Sequence, residues 1–243
     1  TVIMDYYRDS EDGQAQADLN RLMDGTFSNQ ETGMPEGTVH SELLRRPGKL
    51  YVLASHFHPD HFNKEVLQWR EQRPDIIYIF SKDILRHRRA QKEDAVWLKK
   101  GEEYKDETLS VRAFGSTDVG VSFLLQASGK KIFHAGDLNN WHWMDESTEA
   151  EWKGAEKNFL HELDDLYAYT PEVDVAMFPV DPRLGKEYMR GAGQFVTKIK
   201  THIFVPMHFT PEYAKANAFR DFAEAHGVRF VSLTHRGQKI EIE

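Results

Sequence analysis

The segment that constrains this chain most runs from Ser55 to His61 and reads Ser-His-Phe-His-Pro-Asp-His. His56, His58 and Asp60 lie two residues apart directly after an apolar stretch, and alternate side chains of an extended chain project to one side. Two imidazoles and a carboxylate can therefore converge on one point, and His61 can reach the same cavity from the start of the helix predicted to follow. Imidazole and carboxylate together suit Zn²⁺, Mn²⁺ or Fe²⁺. Asp60 alone could be a helix N-cap, but the four residues together predict a metal site.

Two later segments carry further residues of the ligand type at the ends of predicted strands. A strand predicted at residues 131–134 is followed by Gly136 and Asp137, and one predicted at residues 202–206 is followed by His208. Taken alone, Asp137 is more typical of a turn and His208 of a residue beside a helix. Combined with the first segment, they complete a set of candidate metal ligands.

Composition removes several other classes of protein. There is no cysteine, so any metal must bind through histidine and carboxylate rather than thiolate. The formal net charge of −8 does not favour a nucleic-acid partner, and no apolar run approaches the ~18 residues of a membrane helix. The start of the sequence has no signal-peptide pattern. We therefore expect a cytoplasmic protein that acts on a small molecule, does not bind a membrane and could form a homo-oligomer.

The order of the predicted elements favours two sheets with helices outside. Strands dominate the middle of the chain and strand–helix alternation resumes towards the end. Strands are predicted at residues 2–5, 49–55, 75–81, 109–114, 120–126, 131–134, 173–180, 202–206, 228–233 and 239–243. Helices are predicted at residues 15–23, 62–72, 82–91, 147–168, 186–199 and 211–226. No internal repeat or linker divides the sequence.

This set of residues resembles the metallo-β-lactamase superfamily. The family signature is His-x-His-x-Asp-His, a later His, a Gly-Asp pair ending a strand and a final His ending another strand. The matching residues are His56, His58, Asp60, His61, Gly136, Asp137 and His208, and Asp5 matches an Asp that ends an early strand. The resemblance spans nearly the whole chain. It implies an α/β fold, a four-layer αβ/βα sandwich of two mixed β-sheets flanked by helices, as one hydrolase domain over residues 1–243.

The resemblance also implies how the metals are held. One or two divalent ions lie at the edge of the two sheets, with Zn expected first and Mn, Fe or Ni as alternatives. In the family pattern His56 and His58 bind the first metal, whereas Asp60, His61 and His208 bind the second; Asp137 bridges both. Family members usually have two strands before the one that ends in Asp5, so we expect N-terminal strands beyond the given sequence to pair with residues 2–5.

The sequence departs from the family pattern at the third histidine of the first metal site. That histidine should fall near the start of the strand predicted at residues 120–126, but residues 115–120 contain none. Asp118 lies in this segment and could bind the metal directly or through water, in which case its hard oxygen would shift the preference from Zn towards Mn or Fe. Alternatively, Asp118 is a turn residue that bonds the local backbone.

The chemistry expected of such a site is hydrolysis. A metal-activated water would attack an ester, lactone, thioester or phosphoester of a small molecule, and Asp60 could also accept the proton. Asn140 and His142 could hydrogen-bond the substrate, and Arg183 could hold a carboxylate or phosphate. Packing of the loop and a structural salt bridge are the respective alternatives. Two other functions stay open: a phosphodiesterase or nuclease on the same fold, and a non-catalytic metal-binding protein.

Overall fold

Two β-sheets organise the chain, of which this computed structural model describes residues 1–7, 39, 41–209 and 212–242. The smaller sheet contains four strands in chain order, all paired in parallel: β1 (Val2–Met4), β2 (Tyr51–Ala54), β3 (Ile77–Ser81) and β4 (Val96–Leu98). The larger sheet contains seven: β5 (Glu103–Lys105), β6 (Ser110–Phe114), β7 (Ser122–Ala127), β8 (Lys130–His134), β9 (Glu172–Pro179), β10 (Lys200–Met207) and β11 (Arg229–Phe230). Its strands also follow chain order, antiparallel from β5 to β8 and parallel from β8 to β11.

Helices cover the outer faces of both sheets. The α-helices are α1 (Ser41–Leu44), α2 (Glu65–Gln68), α3 (Lys82–Arg86), α4 (Glu149–Tyr169), α5 (Arg190–Lys198), α6 (Tyr213–Asn217) and α7 (Arg220–Ala225), and short 3₁₀ helices span Trp69–Glu71, Lys92–Asp94 and Pro182–Glu187. The longest, α4, begins at a capping box between Thr148 and Glu151, which satisfies backbone N–H groups that have no partner within the helix. None of the helices in the described ranges has both the length and the apolar character needed to cross a membrane.

Alternation of buried side chains along the strands produces the layers. In β2, Tyr51 and Leu53 pack into the core between the two sheets, whereas Val52 and Ala54 pack against the helices beside the smaller sheet. A strand covered on both faces is expected to read as a continuous apolar run, and all four residues of β2 are buried. On the far side, α4, α5 and α7 pack on the larger sheet through a third core that contains Phe159, Phe195 and Ala223. The result is a four-layer sandwich.

The predicted fold class is confirmed, with differences in detail. The smaller sheet is purely parallel over its described strands rather than mixed. No strand forms at residues 239–242, so the predicted terminal strand is wrong over these residues. The short strands β4 and β5 were not predicted, and the helices predicted at residues 62–72 and 211–226 are each interrupted. The helix predicted at residues 15–23 lies outside the described residues.

The parallel pairing fixes where a site can form. Asp5 follows β1 and the histidine-rich segment follows β2, while Asp137, Asp181 and His208 follow β8, β9 and β10. Within each parallel set the carboxyl ends of the strands lie at the same edge, which is where open α/β sheets place ligands. β1 lies at the end of the smaller sheet as described, and the expectation of preceding strands stays a prediction.

Candidate metal centre

The centre is built around the carboxylate of Asp137, which lies between three imidazoles. Its Oδ2 is 3.2 Å from His56 Nε2, and its Oδ1 is 3.1 Å from His61 Nε2 and 3.3 Å from His208 Nε2. Asp60 adds a second carboxylate, with Oδ2 3.7 Å from His61 Nε2 and 3.9 Å from His208 Nε2. Three strand ends, from two sheets, therefore deliver side chains to one small volume.

All seven predicted ligands take part in groups whose donor atoms lie within 4.8 Å of one another. The groups are Asp60 with His61 and His208; His56 with His58 and Asp60; His56 with His61 and Asp137; and His58 with Asp118 and Asp137. Asp118 Oδ2 is 3.8 Å from His58 Nδ1, so the segment without a histidine does bring a carboxylate to this side of the centre. The arrangement divides into an inner part, which is buried, and an outer part around His58 and Asp118, which is more exposed.

The donor set fits a bound cation. His56 Nε2 and Asp137 Oδ1 are buried and make no hydrogen bond among the described residues. Buried polar atoms without partners are costly, and these two face the same space. A divalent cation between them would provide a partner for both.

Asp5 holds His61 in the orientation that this requires. Asp5 Oδ2 lies 2.7 Å from His61 Nδ1, and Asp5 also accepts hydrogen bonds from the backbone N–H and the hydroxyl of Ser55. Burial would raise the pKa of Asp5, but the imidazoles of His134 and His61 and the Ser55 hydroxyl hold it well below its usual range. The charged carboxylate thus fixes Nδ1 of His61 and leaves Nε2 facing Asp137.

Asp181 holds His208 in the same way, and sequence reasoning missed it. Its side chain is fully buried after β9, and Oδ2 is 3.0 Å from His208 Nδ1. Burial opposes ionisation, yet hydrogen bonds with His208 and Arg183 lower the pKa of Asp181 to about 2. Carboxylates behind metal-binding imidazoles orient the ring and make it a better ligand. An acidic residue directly after a strand of the parallel set was the signal available in the sequence.

The protonation of His61 shows how the carboxylates act on the centre. Burial opposes the charged imidazolium, but the nearby carboxylates of Asp137 and Asp5 outweigh it and raise the pKa of His61 to about 10. Burial likewise opposes ionisation of Asp137, whose pKa the imidazoles of His56 and His61 hold far below the ordinary value. In the metal-free protein the positive charge of protonated His61 therefore compensates part of the negative charge of the carboxylates, as a bound cation would.

Backbone conformation is unusual around the centre. Asp5, Trp143 and His208 have φ values of 45°, 44° and 59°, in the left-handed region that costs non-glycine residues energy. Gly120 approaches the metal-binding segment so closely that a Cβ there would lie 2.2 Å from the carbonyl oxygen of Ser55. Strained backbone of this kind clusters at functional sites, where the surrounding structure holds it in place.

Two of the three predicted substrate-binding residues are buried and bonded within the protein. Asn140 donates through Nδ2 to Gln194 at 2.9 Å, and His142 Nε2 lies 3.1 Å from the carbonyl of Glu187. Their side chains hold the loop after β8 against α5 and the segment before it, and their contact with a substrate stays a prediction. Arg183, the third, is exposed beside His208.

The same loop does contribute a wall to the centre. Trp141 is half-buried, donates its indole N–H to the carbonyl of Asp137 at 2.9 Å and lies edge-on to the ring of His208, with centroids 5.6 Å apart. Trp143 stacks on Trp141. One further residue was missed: His134 is buried beside Asp5, and its Nδ1 accepts the N–H of Gly136 at 3.1 Å.

Residues 35–209 match a family described as the β-lactamase superfamily domain. Among solved structures, the metallo-β-lactamase fold protein YhfI from Bacillus subtilis is similar, with 12% identity over 83% of this chain and 79% of that chain and a TM-score of 0.53. A metallo hydrolase from the hyperthermophilic archaeon Ignicoccus hospitalis gives 16% identity over 75% of each chain and a TM-score of 0.52. CmlA, a diiron β-hydroxylase from Streptomyces venezuelae, gives 14% identity over 76% of this chain and 44% of that chain, with a TM-score of 0.50. No curated protein sequence matches the chain.

Proposed function

The chain belongs to the β-lactamase superfamily, and from this premise we propose that it is a metal-dependent hydrolase of a small molecule. The bond cleaved is an ester, lactone, thioester or phosphoester. The observation that carries the proposal is the position of Asp137 between His56, His61 and His208, with buried donor atoms that have no other partner among the described residues.

The residues divide between two metal positions. Asp60, His61 and His208 would hold one divalent ion, and His56, His58 and Asp118 the other, with Asp137 shared between them. A cation bound there lowers the pKa of a coordinated water towards neutrality and polarises the oxygen of the bond under attack. We call the position of Asp60, His61 and His208 the inner position. We propose Zn as its resident ion, since imidazole nitrogen and carboxylate oxygen are the usual ligands of Zn.

The protein's own groups supply orientation and a proton acceptor. Asp5 and Asp181 fix the rings of His61 and His208, and catalysis tolerates little error in such geometry. Asp60 is half exposed, with 54% of its side chain accessible, so one carboxylate oxygen can face a substrate while the other faces the metal. It would accept the proton released as the nucleophile adds to the substrate. The Trp141 ring shields one side of the centre from water.

Metal content and turnover together test the proposal. The protein purified without added metal should contain a divalent ion by elemental analysis, and a panel of lactone, thioester and phosphodiester substrates should reveal turnover. The double variant His61→Ala/His208→Ala should lose both metal and activity. Metal without turnover on any substrate would indicate a non-catalytic metal-binding protein, and equal metal content in the double variant and the wild type would refute the site.

A matched variant separates geometry from folding. Asp137→Ala should abolish hydrolysis while the circular-dichroism spectrum is retained, because Asp137 follows the end of β8 and is not part of an apolar core. Loss of the spectrum would mean that Asp137 is needed for the fold, and the assignment of a shared ligand would then fail.

A further inference from the structure

Arg183 is the charged residue at this centre that the proposed hydrolysis does not use. It lies in the 3₁₀ helix Pro182–Glu187 directly after Asp181. Its Nε is 3.0 Å from both carboxylate oxygens of Asp181, and its Nη2 is 2.5 Å from Oδ2. The same Nη2 lies 3.4 Å from His208 Nδ1. The guanidinium is thus anchored by the carboxylate that orients a metal-binding histidine.

The two partners of this ion pair differ sharply in exposure. The side chain of Asp181 is fully buried, whereas 56% of the Arg183 side chain is accessible. One edge of the guanidinium is occupied by Asp181, and Nη1 has no hydrogen-bond partner within the described part of the chain. The ion pair holds the side chain in one orientation before a ligand arrives. An arginine fixed in this way loses little further entropy when it binds an anion.

The charges around the centre leave a role for such a cation. Arg183 Nη2 lies 3.4 Å from His208 Nδ1, and Asp181 contacts both side chains, so the guanidinium lies directly beside the centre. Three carboxylates, those of Asp60, Asp118 and Asp137, would offset most of the charge of two divalent ions. A substrate anion would therefore gain little from the metals beyond the atoms that react.

We propose that Arg183 binds an oxyanion of the substrate, a carboxylate or a phosphate group separate from the bond that is cleaved. The inference rests on the proposed hydrolysis and narrows its substrates to those that carry an anionic group besides the bond that is cleaved. Arginine suits this task because its N–H donors match the oxygens of carboxylates and phosphates. Trp141, which lies edge-on to His208, and Trp143, which stacks on Trp141, provide apolar surface beside the centre, against which the uncharged part of the substrate can pack.

The proposal is tested by the ratio of kcat/KM for two esters of the same length, one with a second anionic group and one without. The wild-type holoenzyme should cleave the para-nitrophenyl monoester of succinate with a kcat/KM about ten- to a hundred-fold above that of para-nitrophenyl butyrate, which has no second anion. The para-nitrophenyl ester of phosphonopropionate reports on phosphate in place of carboxylate. Arg183→Met should bring these ratios close to one, and Arg183→Lys should give intermediate values. Arg112→Met, which removes an arginine ion-paired with Glu103 on β5, should leave the ratios at the wild-type value.

The competing role for Arg183 is to neutralise Asp181, and the ratio distinguishes the two. A purely structural arginine would lower kcat/KM for charged and neutral esters equally, with the ratios unchanged, and that result would overturn the proposal. Binding provides a readout without turnover: phosphonopropionate should bind the metal-loaded protein more tightly than propylphosphonate, and Arg183→Met should remove the difference. If this difference appears while no ester is cleaved, the hydrolase function fails and the anion site stands. Equal binding of the two probes by the wild type would refute the anion site.

Discussion

At the scale of single residues, Asp118 decides how alike the two metal positions are. Its Oδ2 lies 3.8 Å from His58 Nδ1, where it would supply an oxygen ligand in place of an imidazole, and 48% of its side chain is accessible. The inner position is served by buried His61 and by His208, each oriented by a carboxylate. We therefore predict that titration of the metal-free protein gives one tight site and one weaker site, and that Mn²⁺ competes better at the weaker one.

The variant Asp118→Ala tests this assignment. It should weaken only the second binding step in a calorimetric titration, because the ligands of the inner position are untouched. Two sites of equal affinity that are unaffected by the substitution would show that Asp118 is a turn residue.

The carboxylate of Asp181 should matter for metal affinity although it would not touch the metal. Asp181→Asn keeps the shape of the side chain but replaces the charged acceptor of His208 Nδ1, and we expect metal affinity to fall by about 10–100-fold. Asp174→Asn is the matched control, since Asp174 lies near the start of β9, the strand that Asp181 follows, and accepts a backbone N–H from Lys131. Similar affinities in the two variants would remove the orienting role from Asp181.

Metal uptake should depend on pH through His61. Its raised pKa, about 10, means that the metal must displace a proton at neutral pH, so the apparent affinity should rise about tenfold per pH unit between about pH 7 and pH 9. Without metal the sign is opposite for stability: the ion pairs of His61 contribute fully below the ordinary histidine pKa and are lost as the pH rises towards 10. Calorimetry in buffers of different ionisation enthalpy counts the released proton, and a release of zero at pH 7 would contradict the prediction.

At the scale of elements, the approach of the segment before β7 to the segment after β2 shapes the centre. Gly120 has a φ of 74°, and a Cβ there would lie 2.2 Å from Ser55 O and 2.4 Å from His56 Cβ. Gly120→Ala should therefore destabilise the protein and weaken metal binding, because the backbone that carries His56 has to move. Gly129→Ala is a close control: its φ is 77°, but nothing lies within 4 Å of the added Cβ. It should show the cost of about 1–2 kcal/mol for a left-handed alanine, with metal affinity unchanged.

Thermal unfolding and metal titration of the two glycine variants separate the cost of a left-handed alanine from the cost of the steric clash with Ser55 and His56. If both lose the same stability and neither loses metal affinity, the close approach of Gly120 does not position His56.

The strands that sequence reasoning missed are two of three residues each, which depend on pairing with a neighbouring strand. β4 has three residues, and its stability comes from pairing with β3. β5 is a short charged strand, Glu103-Tyr104-Lys105, that pairs with β6. Strand formation depends on neighbours more than on local propensity, so neither has a local pattern to find. The longer strands were predictable because β-branched and aromatic residues fill them and both faces are buried.

The candidate ligands were predictable for a different reason than their supports. Each candidate ligand except Asp118 lies after a strand of the parallel sets, so the pattern of strand followed by His or Asp is visible in the sequence. Asp181 occupies the same position, but Asp-Pro is typical of a turn. The burial of Asn140 and His142 was not predictable because the loop after β8 folds inwards onto Gln194 and Glu187, partners that are 54 and 45 residues away.

At the scale of the whole molecule, the metal ligands connect the two sheets at one end. His56, His58 and His61 follow a strand of the smaller sheet, and Asp137 and His208 follow strands of the larger one. The opposite end is joined by Asp106, which accepts hydrogen bonds from Lys49 just before β2, from Tyr51 on β2 and from Tyr104 on β5. Asp106 thus joins this end by hydrogen bonds and an ion pair with Lys49, whereas the other end contains buried carboxylates that a cation would neutralise.

Metal should therefore stabilise the whole fold rather than only its site. A ligand present at 100 times its Kd contributes about 2.7 kcal/mol, which for a domain of this size corresponds to a rise in Tm of about 5–10 °C. Calorimetry before and after chelation should show this difference, and His208→Ala should abolish most of it. Asp106→Asn should lower Tm with and without metal by the same amount, because it breaks the opposite connection between the sheets. If chelation removes the metal and Tm stays constant, the ion does not link the two sheets, and the ligands would have to be sought within one of them.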